Sequence, residues 1–210
     1  MILQMKKKLD SKLSMNKNLG SIKDEATLIS QIAKGDENAL EQLYHIYYSR
    51  LLRFITRTTR RADRADEVIN EVMYVVWQKA ETYNNSCKPS TWIFGIAYNK
   101  SRTLMRKSRF EEAVSLDSID KENSLLGRHD TGLKQLELLN WLETAFELLS
   151  PVQRTVVELT YFHGMHYSEI AKLMECPENT VKTRMLHARK KLAPILLKLE
   201  KSDKVQEKKQ

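Results

Sequence analysis

The chain has 210 residues, 41% of them hydrophobic, and a formal net charge of +8, so it is long enough for one large or two small domains with real cores. No apolar run is long enough to span a bilayer, and no continuous apolar segment follows the cationic N-terminus, which argues against membrane insertion and a secretory signal and favours the cytoplasm. Cys87 and Cys176 lack metal-ligand spacing, so we expect free thiols, no metal and no cofactor.

Most of the positive charge lies at the two ends of the chain. The basic tail 1–23 holds six Lys and one Asp, and the charged tail 198–210 holds five Lys and three acids, which leaves +1 for residues 24–197. Between the tails, residues 100–109 and 182–191 are cationic and free of acids. Two separate basic regions indicate two contact points on a polyanion.

Helical periodicity divides residues 24–107 into four predicted helices. The first lies within 24–35, and Asp36 is placed to cap the second. The third, over about 62–80, has the clearest apolar period in the chain, and the fourth is expected over about 90–106 after a polar loop. These helices are expected to form the first domain.

The second predicted domain, residues 136–197, follows a segment rich in Ser, Asp, Glu and Gly that we expect to be a flexible linker over 108–135. Ser150 begins a capping-box pattern with Pro at the next position, and Gly164 suits the C-terminal cap of the same helix. We expect the tail after residue 197 to be disordered. Since no strand pattern occurs, the predicted fold is all-α, with two small helical domains.

Residues 167–192 are typical of a helix-turn-helix, in which two apolar stripes pack together across a short turn. The second helix carries cations and no acid beyond its first turn, and such side chains suit phosphates and base edges. DNA recognition is therefore the leading hypothesis. The alternative is an ordinary solvated basic helix in a bundle.

Residues for catalysis are not evident. The sequence shows no nucleophile with its base, no Gly-rich phosphate loop and no paired carboxylates in an apolar setting, so an enzyme is not expected. His163 and His166 have H-x-x-H spacing, but Gly164 lies between them at a helix end. We interpret both as ordinary surface histidines, and Glu169 as a solvated acid.

Aromatic side chains surround the predicted loop 83–91 and the basic fourth helix. Rings and cations together are typical of surfaces that bind single strands, because bases stack on the rings while cations follow the backbone. A core role for two or three of the rings is also expected. The five residues concerned are Trp77, Tyr83, Trp92, Phe94 and Tyr98.

Five stretches of the chain stand out together: GDENALEQLYHIYYSRLLRF, DEVINEVMYVVWQKAETY, STWIFGIAYNKSRTLMRK, LSPVQRTVVELTYFHGMHYSEIA and ENTVKTRMLHARKKL. In their order and spacing the chain resembles the extracytoplasmic-function (ECF) group of sigma factors of bacterial RNA polymerase, in the sigma-70 family. The resemblance implies core RNA polymerase as a partner, together with promoter DNA in double-stranded and melted form. It also allows an anti-sigma factor.

The resemblance assigns roles to three sets of residues. Core polymerase binding falls on the polar face of the third helix, at Asp66, Glu67, Asn70 and Glu71. Minus-ten recognition and melting fall on Tyr83, Asn84, Asn85, Ser86, Lys88, Trp92, Asn99, Arg102 and Arg106. Minus-thirty-five recognition falls on Glu178, Asn179, Thr180, Lys182, Thr183, Arg184 and His187.

The chain departs from the family pattern at two positions. Glu175 and Asn179 stand where family members commonly have Gly, so we expect turn strain at Glu175. Two other functions remain open: a free-standing helix-turn-helix regulator that binds an operator, and a helical adaptor without DNA function. Neither explains why a basic, aromatic helix adjoins a polar loop in the first domain.

Overall fold

The computed structural model describes the backbone of residues 24–114 and 145–207, and the side chains within 24–108 and 145–194. The basic tail 1–23, most of the predicted linker and the predicted opening of the second domain at 136–144 lie outside the described residues. Every regular element within the described ranges is helical, as predicted. Within the same ranges no helix is both long and apolar enough to cross a membrane.

The described part of the first domain has four α-helices: α1 (Glu25–Ile32), α2 (Glu37–Thr59), α3 (Ala65–Lys79) and α4 (Pro89–Val114). Short 3-10 turns at Ala62–Arg64 and Ala80–Thr82 flank α3. The Asp36 side chain accepts hydrogen bonds from the backbone N–H groups of Asn38 at 2.9 Å and Ala39 at 3.2 Å, which confirms the predicted cap. Gly35 precedes it with φ +86°, a left-handed conformation that costs Gly little. Local chemistry thus fixes where α2 begins.

The second domain contains α5 (Pro151–Val157), which continues as a π-helical turn (Glu158–Phe162), α6 (Tyr167–Leu173) and α7 (Glu178–Glu207). Ser150 and Gln153 form the predicted capping box, and Gly164 has φ +62°. The helix-turn-helix prediction is therefore confirmed as α6 and α7.

Two predicted helix ends are wrong. α4 continues through Val114, so the first residues of the predicted linker are helical, and α7 continues through Glu207 into the tail that was expected to be disordered. In both places Ala, Leu, Lys, Arg and Glu predominate, and these residues favour helix even where no apolar stripe is present. Loss of amphipathic periodicity therefore did not mean loss of the helix.

The two domains pack against one another, with α2 against α5 and α4 against α6, and we call this contact the interdomain interface. Phe54 and Phe94 are fully buried in the first domain, and both rings contact the His163 ring, with the Phe94 and His163 centroids 3.8 Å apart. The His163 side chain is only 4% exposed, so its interpretation as a surface histidine is wrong. The partners that bury it lie far away in sequence.

A buried ion pair joins the two domains beside these rings. Arg57 of α2 donates to the carboxylate of Glu158 at 3.1 Å, and the Glu158 side chain is 1% exposed. Burial raises the pKa of Glu158, while Arg57 opposes that rise. In addition, Arg154 of α5 donates to the backbone carbonyl of Arg57 at 2.7 Å. The interface thus combines apolar contacts with a buried pair of opposite charges.

His163 carries no charge in this environment. Burial lowers its pKa to about 3, and the nearby guanidinium groups of Arg50, Arg53 and Arg57 act in the same direction. Glu158 lies 3.9 Å from the His163 Nε2, but Arg57 already compensates that carboxylate. Neither ring nitrogen has a hydrogen-bond partner in the described part of the chain.

Replacing His163 with Gln should reduce the loss of stability in mild acid. Burial lowers the pKa of His163 from 6.5 to about 3, so as the pH falls this residue binds a proton in the unfolded chain before it does so in the folded chain. The contribution of neutral His163 to the free energy of unfolding is therefore present above pH 6.5 and is lost as the pH falls below it. From roughly pH 7.5 to 5.5, the unmodified chain should lose about 1.4 kcal/mol more free energy of unfolding than His163→Gln, measured by urea denaturation. Equal losses in the two chains would contradict the burial of a neutral His163.

Candidate nucleic-acid interface

α7 packs against α6 through an apolar stripe and leaves most of its polar side chains exposed. Val181, Met185 and Ala188 are buried against the first helix of the motif, where Ile170 and Met174 are buried in turn. The predicted minus-thirty-five residues lie outside this stripe. Glu178, Asn179, Lys182, Thr183 and His187 are exposed, and Thr180 and Arg184 are half-buried. All seven predicted side chains therefore lie outside the buried stripe, and five of them are exposed.

The turn between α6 and α7 has the expected strain. Glu175 has φ +52°, a left-handed conformation that is unfavourable for a residue with a Cβ. Cys176 follows it and donates its backbone N–H to the carbonyl of Ala171 at 3.0 Å. The Arg184 Nη1 lies 3.5 Å from the Cys176 Sγ and 3.9 Å from the Met174 Sδ. Arg184 thus supports the turn in addition to any contact with DNA.

Two other polar residues of α7 are paired within the helix. Lys182 forms an ion pair with Glu178 one turn earlier at 2.9 Å, and Thr183 donates its hydroxyl to the Asn179 carbonyl at 2.9 Å. The exposed ion pair contributes little to stability, since both groups are hydrated. Lys182 can therefore exchange its carboxylate for a phosphate at small cost.

The loop before α4 is held in a defined shape by its own side chains. Tyr83 donates its hydroxyl to the Cys87 carbonyl at 2.6 Å, and the Asn84 carboxamide oxygen accepts the backbone N–H of Ser86 at 3.1 Å. Asn85 has φ +58°, a conformation that Asn adopts more readily than most residues. The tips of Asn84, Asn85 and Ser86, with Lys88 beside them, are exposed.

The aromatic residues around this loop divide as expected. Phe94 and Tyr98 are buried in the core, while Trp77, Tyr83 and Trp92 are half-buried. The Tyr83 and Trp92 rings lie 5.2 Å apart at an interplanar angle of 39°. Each ring therefore keeps part of its surface available beside the polar loop.

Beyond Trp92, the basic side of α4 continues the same surface. Asn99, Arg102 and Arg106 are exposed and spaced by three and four residues, which places them on one side of the helix. Ser101 and Ala97 face the core instead. The loop and this side of α4 form one continuous polar and cationic strip.

The acidic side of α3 is also accessible. Asp66, Glu67 and Glu71 are exposed, and Asn70 is half-buried. Tyr48 donates its hydroxyl to the Asp66 carboxylate at 2.9 Å. Glu67 pairs with Arg64 at 2.7 Å, and Glu71 pairs with Lys100 at 2.9 Å. These pairs hold two carboxylates in place without burying them.

One contact of the predicted minus-ten region was not evident from the sequence. The Thr91 hydroxyl at the start of α4 donates to the Glu169 carboxylate of α6 at 3.0 Å, and Glu169 also accepts the His166 backbone N–H at 2.9 Å. Burial of Glu169 raises its pKa, but these two donors and Lys88 outweigh that effect and lower it. Glu169 therefore carries its charge at the predicted DNA surface, where it was expected to be solvated.

A metal centre does not form here: in the described ranges no group of three or more His, Cys, Asp and Glu side chains could hold a metal ion. The geometry instead gives two separate polar surfaces that suit nucleic acid, one on each domain, and an acidic surface on α3.

Comparisons with known proteins agree with this arrangement. The model of Sigma-70 region 2 matches residues 43–111, and that of Sigma-70, region 4 matches residues 139–192. The ECF RNA polymerase sigma-E factor of Haemophilus influenzae is 26% identical over 185 residues, covering 82% of this chain and 97% of that protein. The sigma-E factor of Escherichia coli K12 is 26% identical over 187 residues, covering 82% and 96%.

Two solved structures share the fold. CnrH, solved with the cytosolic domain of CnrY, has a TM-score of 0.59 at 22% identity and covers 82% of this chain and 96% of its own. The sigma factor RpoE of Bartonella quintana, solved with the anti-sigma factor NepR, has a TM-score of 0.63 at 22% identity and covers 74% and 95%. Both sigma-70 regions are matched, in order along the chain. The chain therefore belongs to the sigma-70 family as an ECF sigma factor, a protein that directs promoter-specific initiation of transcription.

Proposed function

We propose that this sigma factor binds core RNA polymerase through the acidic side of α3, recognises the minus-thirty-five element through α7, and captures melted minus-ten bases through the loop at residues 83–88 and α4. The observation that carries the proposal is the presence, on one chain, of an exposed recognition helix and a structured polar loop beside two partly open rings. The chain catalyses no reaction itself and acts in the cytoplasm. The free-standing regulator is the weaker alternative, because it gives the loop and rings no role.

The exposed side chains of α7 suit the major groove of duplex DNA. Lys182 and His187 can reach phosphates or the acceptor atoms of guanine, and Asn179 can pair with adenine. Glu178 repels phosphate unless it accepts from a cytosine amino group. This chemistry supports sequence reading by the helix, with a preference that differs from that of relatives with Gly in place of Asn179.

The loop at residues 83–88 suits an unstacked base. A base that leaves the duplex needs a ring to stack on and polar groups for its exposed edge. Tyr83 and Trp92 supply the rings, and the amide and hydroxyl groups of Asn84, Asn85 and Ser86 supply donors and acceptors. Because the loop is already held in shape, little conformational entropy is lost on binding.

Promoter binding requires the two domains to separate. Elements named for positions 35 and 10 lie about 25 base pairs apart, or roughly 85 Å along B-form DNA at about 3.4 Å per base pair. In the packed structure, the start of α4 is hydrogen-bonded to α6, which places the two DNA-reading modules side by side. We infer that core polymerase and DNA together stabilise an open arrangement, whereas a protein such as an anti-sigma factor acts by preventing it.

Replacing Lys182 and His187 with Ala should reduce transcription from promoters with a minus-thirty-five element by about tenfold or more, since one good base contact contributes about 1–3 kcal/mol. Start sites are first found by transcription of sheared genomic DNA with core enzyme and the chain, then compared quantitatively between variants. Co-purification with core enzyme should not change. Lys34→Ala, which removes an exposed charge far from α7, is the control, and equal transcription by all variants would contradict the role of α7.

Asn84→Ala should impair promoter melting, because it removes both an edge contact for a flipped base and the hydrogen bond that shapes the loop. Permanganate reactivity of thymines in the minus-ten element should fall by about tenfold. Binding to a duplex limited to the minus-thirty-five element should be unchanged. Wild-type reactivity in this variant would remove the loop from the melting step.

Replacing Glu67 and Glu71 with Lys should weaken association with core polymerase, because it reverses the charge of the proposed contact surface and places cations beside Arg64 and Lys100. Gel filtration with purified core enzyme measures the loss. Glu81→Lys reverses an exposed acid outside this surface and should bind normally. Undiminished association of the double variant would exclude this side of α3.

A further inference from the structure

A cleft of about 390 Å³ lies in the interdomain interface, and neither predicted DNA surface contributes to it. The end of α2 lines one side with Thr58 and Arg60, and the second domain lines the other with Glu147, Arg154 and Lys191. Three of these five side chains are cationic and one is acidic. The cleft is therefore a concave site with excess positive charge.

Arg154 is the buried cation of the cleft. It is 3% exposed, and its guanidinium donates to the backbone carbonyls of Phe146 at 3.1 Å, Arg57 at 2.7 Å and Leu149 at 2.9 Å. All three of these partners are neutral carbonyl oxygens. Burial and the nearby Arg60 lower the pKa of Arg154 to about 10. Glu147 opposes this effect, but the cleft still holds three cations against one acid, so an anion placed here would be stabilised.

Arg60 and Lys191, the two exposed cations of the cleft, each have more N–H donors than their hydrogen bonds to the protein use. Arg60 donates one Nη2 hydrogen bond to the Glu147 carbonyl at 2.6 Å, and Lys191 donates to the Leu148 carbonyl at 3.1 Å. A guanidinium has five N–H groups and an ammonium has three, so each can bind an oxyanion as well. Thr58, a cleft residue only 1% exposed, has a hydroxyl without a partner in the described ranges.

We propose that this cleft binds a small free polyphosphate, with Arg60 and Lys191 holding its oxygens from the two domains, and Arg154 and Thr58 completing the site at its buried end. Two or more negative charges match the excess of cations, and the volume exceeds that of a single phosphate group. A phosphate of duplex DNA is a diester with one charge and remains on its strand, so it fits the cleft poorly.

Such a ligand would bridge the two domains and so favour the packed form. Because it binds residues that come together only when α2 lies against α5, its binding energy adds to the stability of that form. This consequence for promoter binding rests on the proposed function, since it assumes that the domains separate on DNA. The binding itself does not depend on that assumption.

Calorimetric titration of the full chain with inorganic pyrophosphate, at constant ionic strength and without polymerase or DNA, tests the site. One molecule should bind per chain and raise the melting temperature. Arg60→Ala with Lys191→Ala should weaken binding at least about tenfold, because charge-assisted hydrogen bonds are lost. The matched control, Lys34→Ala with Lys190→Ala, removes the same charge from exposed positions outside the cleft and should bind normally.

Thr58→Val provides a test that should preserve the fold, because it replaces an unpartnered buried hydroxyl with a methyl group of similar size. It should weaken pyrophosphate binding without lowering the melting temperature of the free chain. Absence of saturable binding, or equal weakening in the control pair, would overturn the proposal. A third result would also overturn it: the chain binds a 20-bp duplex but not pyrophosphate, and the Arg60 and Lys191 double variant no longer binds the duplex. That result would assign the two cations to DNA.

Discussion

Glu158 sets the main constraint on this structure, because burying a carboxylate that is 1% exposed costs free energy unless a cation lies beside it. Arg57 supplies that cation from the other domain, and the pair can form only when α2 lies against α5. Phe54, Phe94 and His163 then fill the space next to it, away from water. The relative position of the two domains follows from this one requirement together with the apolar contacts around it.

An interface of this kind can hold two domains together and still let them part. Removing both ions from water costs free energy that their attraction only partly returns, so the ion pair adds specificity more than net stability. When the domains separate, Arg57 and Glu158 are hydrated again and the desolvation cost is recovered. Burial of the Phe54, Phe94 and His163 rings and interdomain hydrogen bonds, such as that from Arg154 to the Arg57 carbonyl, also stabilise the interface. This balance is suited to the proposed function, in which two modules that are packed together in this structure separate to reach two DNA elements.

Contact between the domains also places charges near the DNA surfaces. Glu169 lies against Thr91 and close to Lys88, at the start of the strip proposed to bind melted DNA, so its carboxylate occupies a position where a phosphate would be attracted. On the opposite part of the interface, Arg60, Arg154 and Lys191 face a cleft with too few acids. The packed form thus places one carboxylate beside the strip proposed to bind melted DNA, and three cations around the cleft proposed to bind polyphosphate.

The sequence alone determined the local features. Asp36, Ser150 and Gly164 act on backbone groups within a few residues, so their roles follow from spacing, and the apolar periods of α3, α6 and α7 predicted which sides face inward. Family resemblance added the positions proposed to meet polymerase and DNA. Only the tertiary structure decided the burial and the contacts of residues whose partners are distant in sequence. His163 is buried by rings of another domain, and Arg60 and Lys191 meet in one cleft. Burial and charge pairing of this kind depend on three-dimensional proximity that no short sequence window contains.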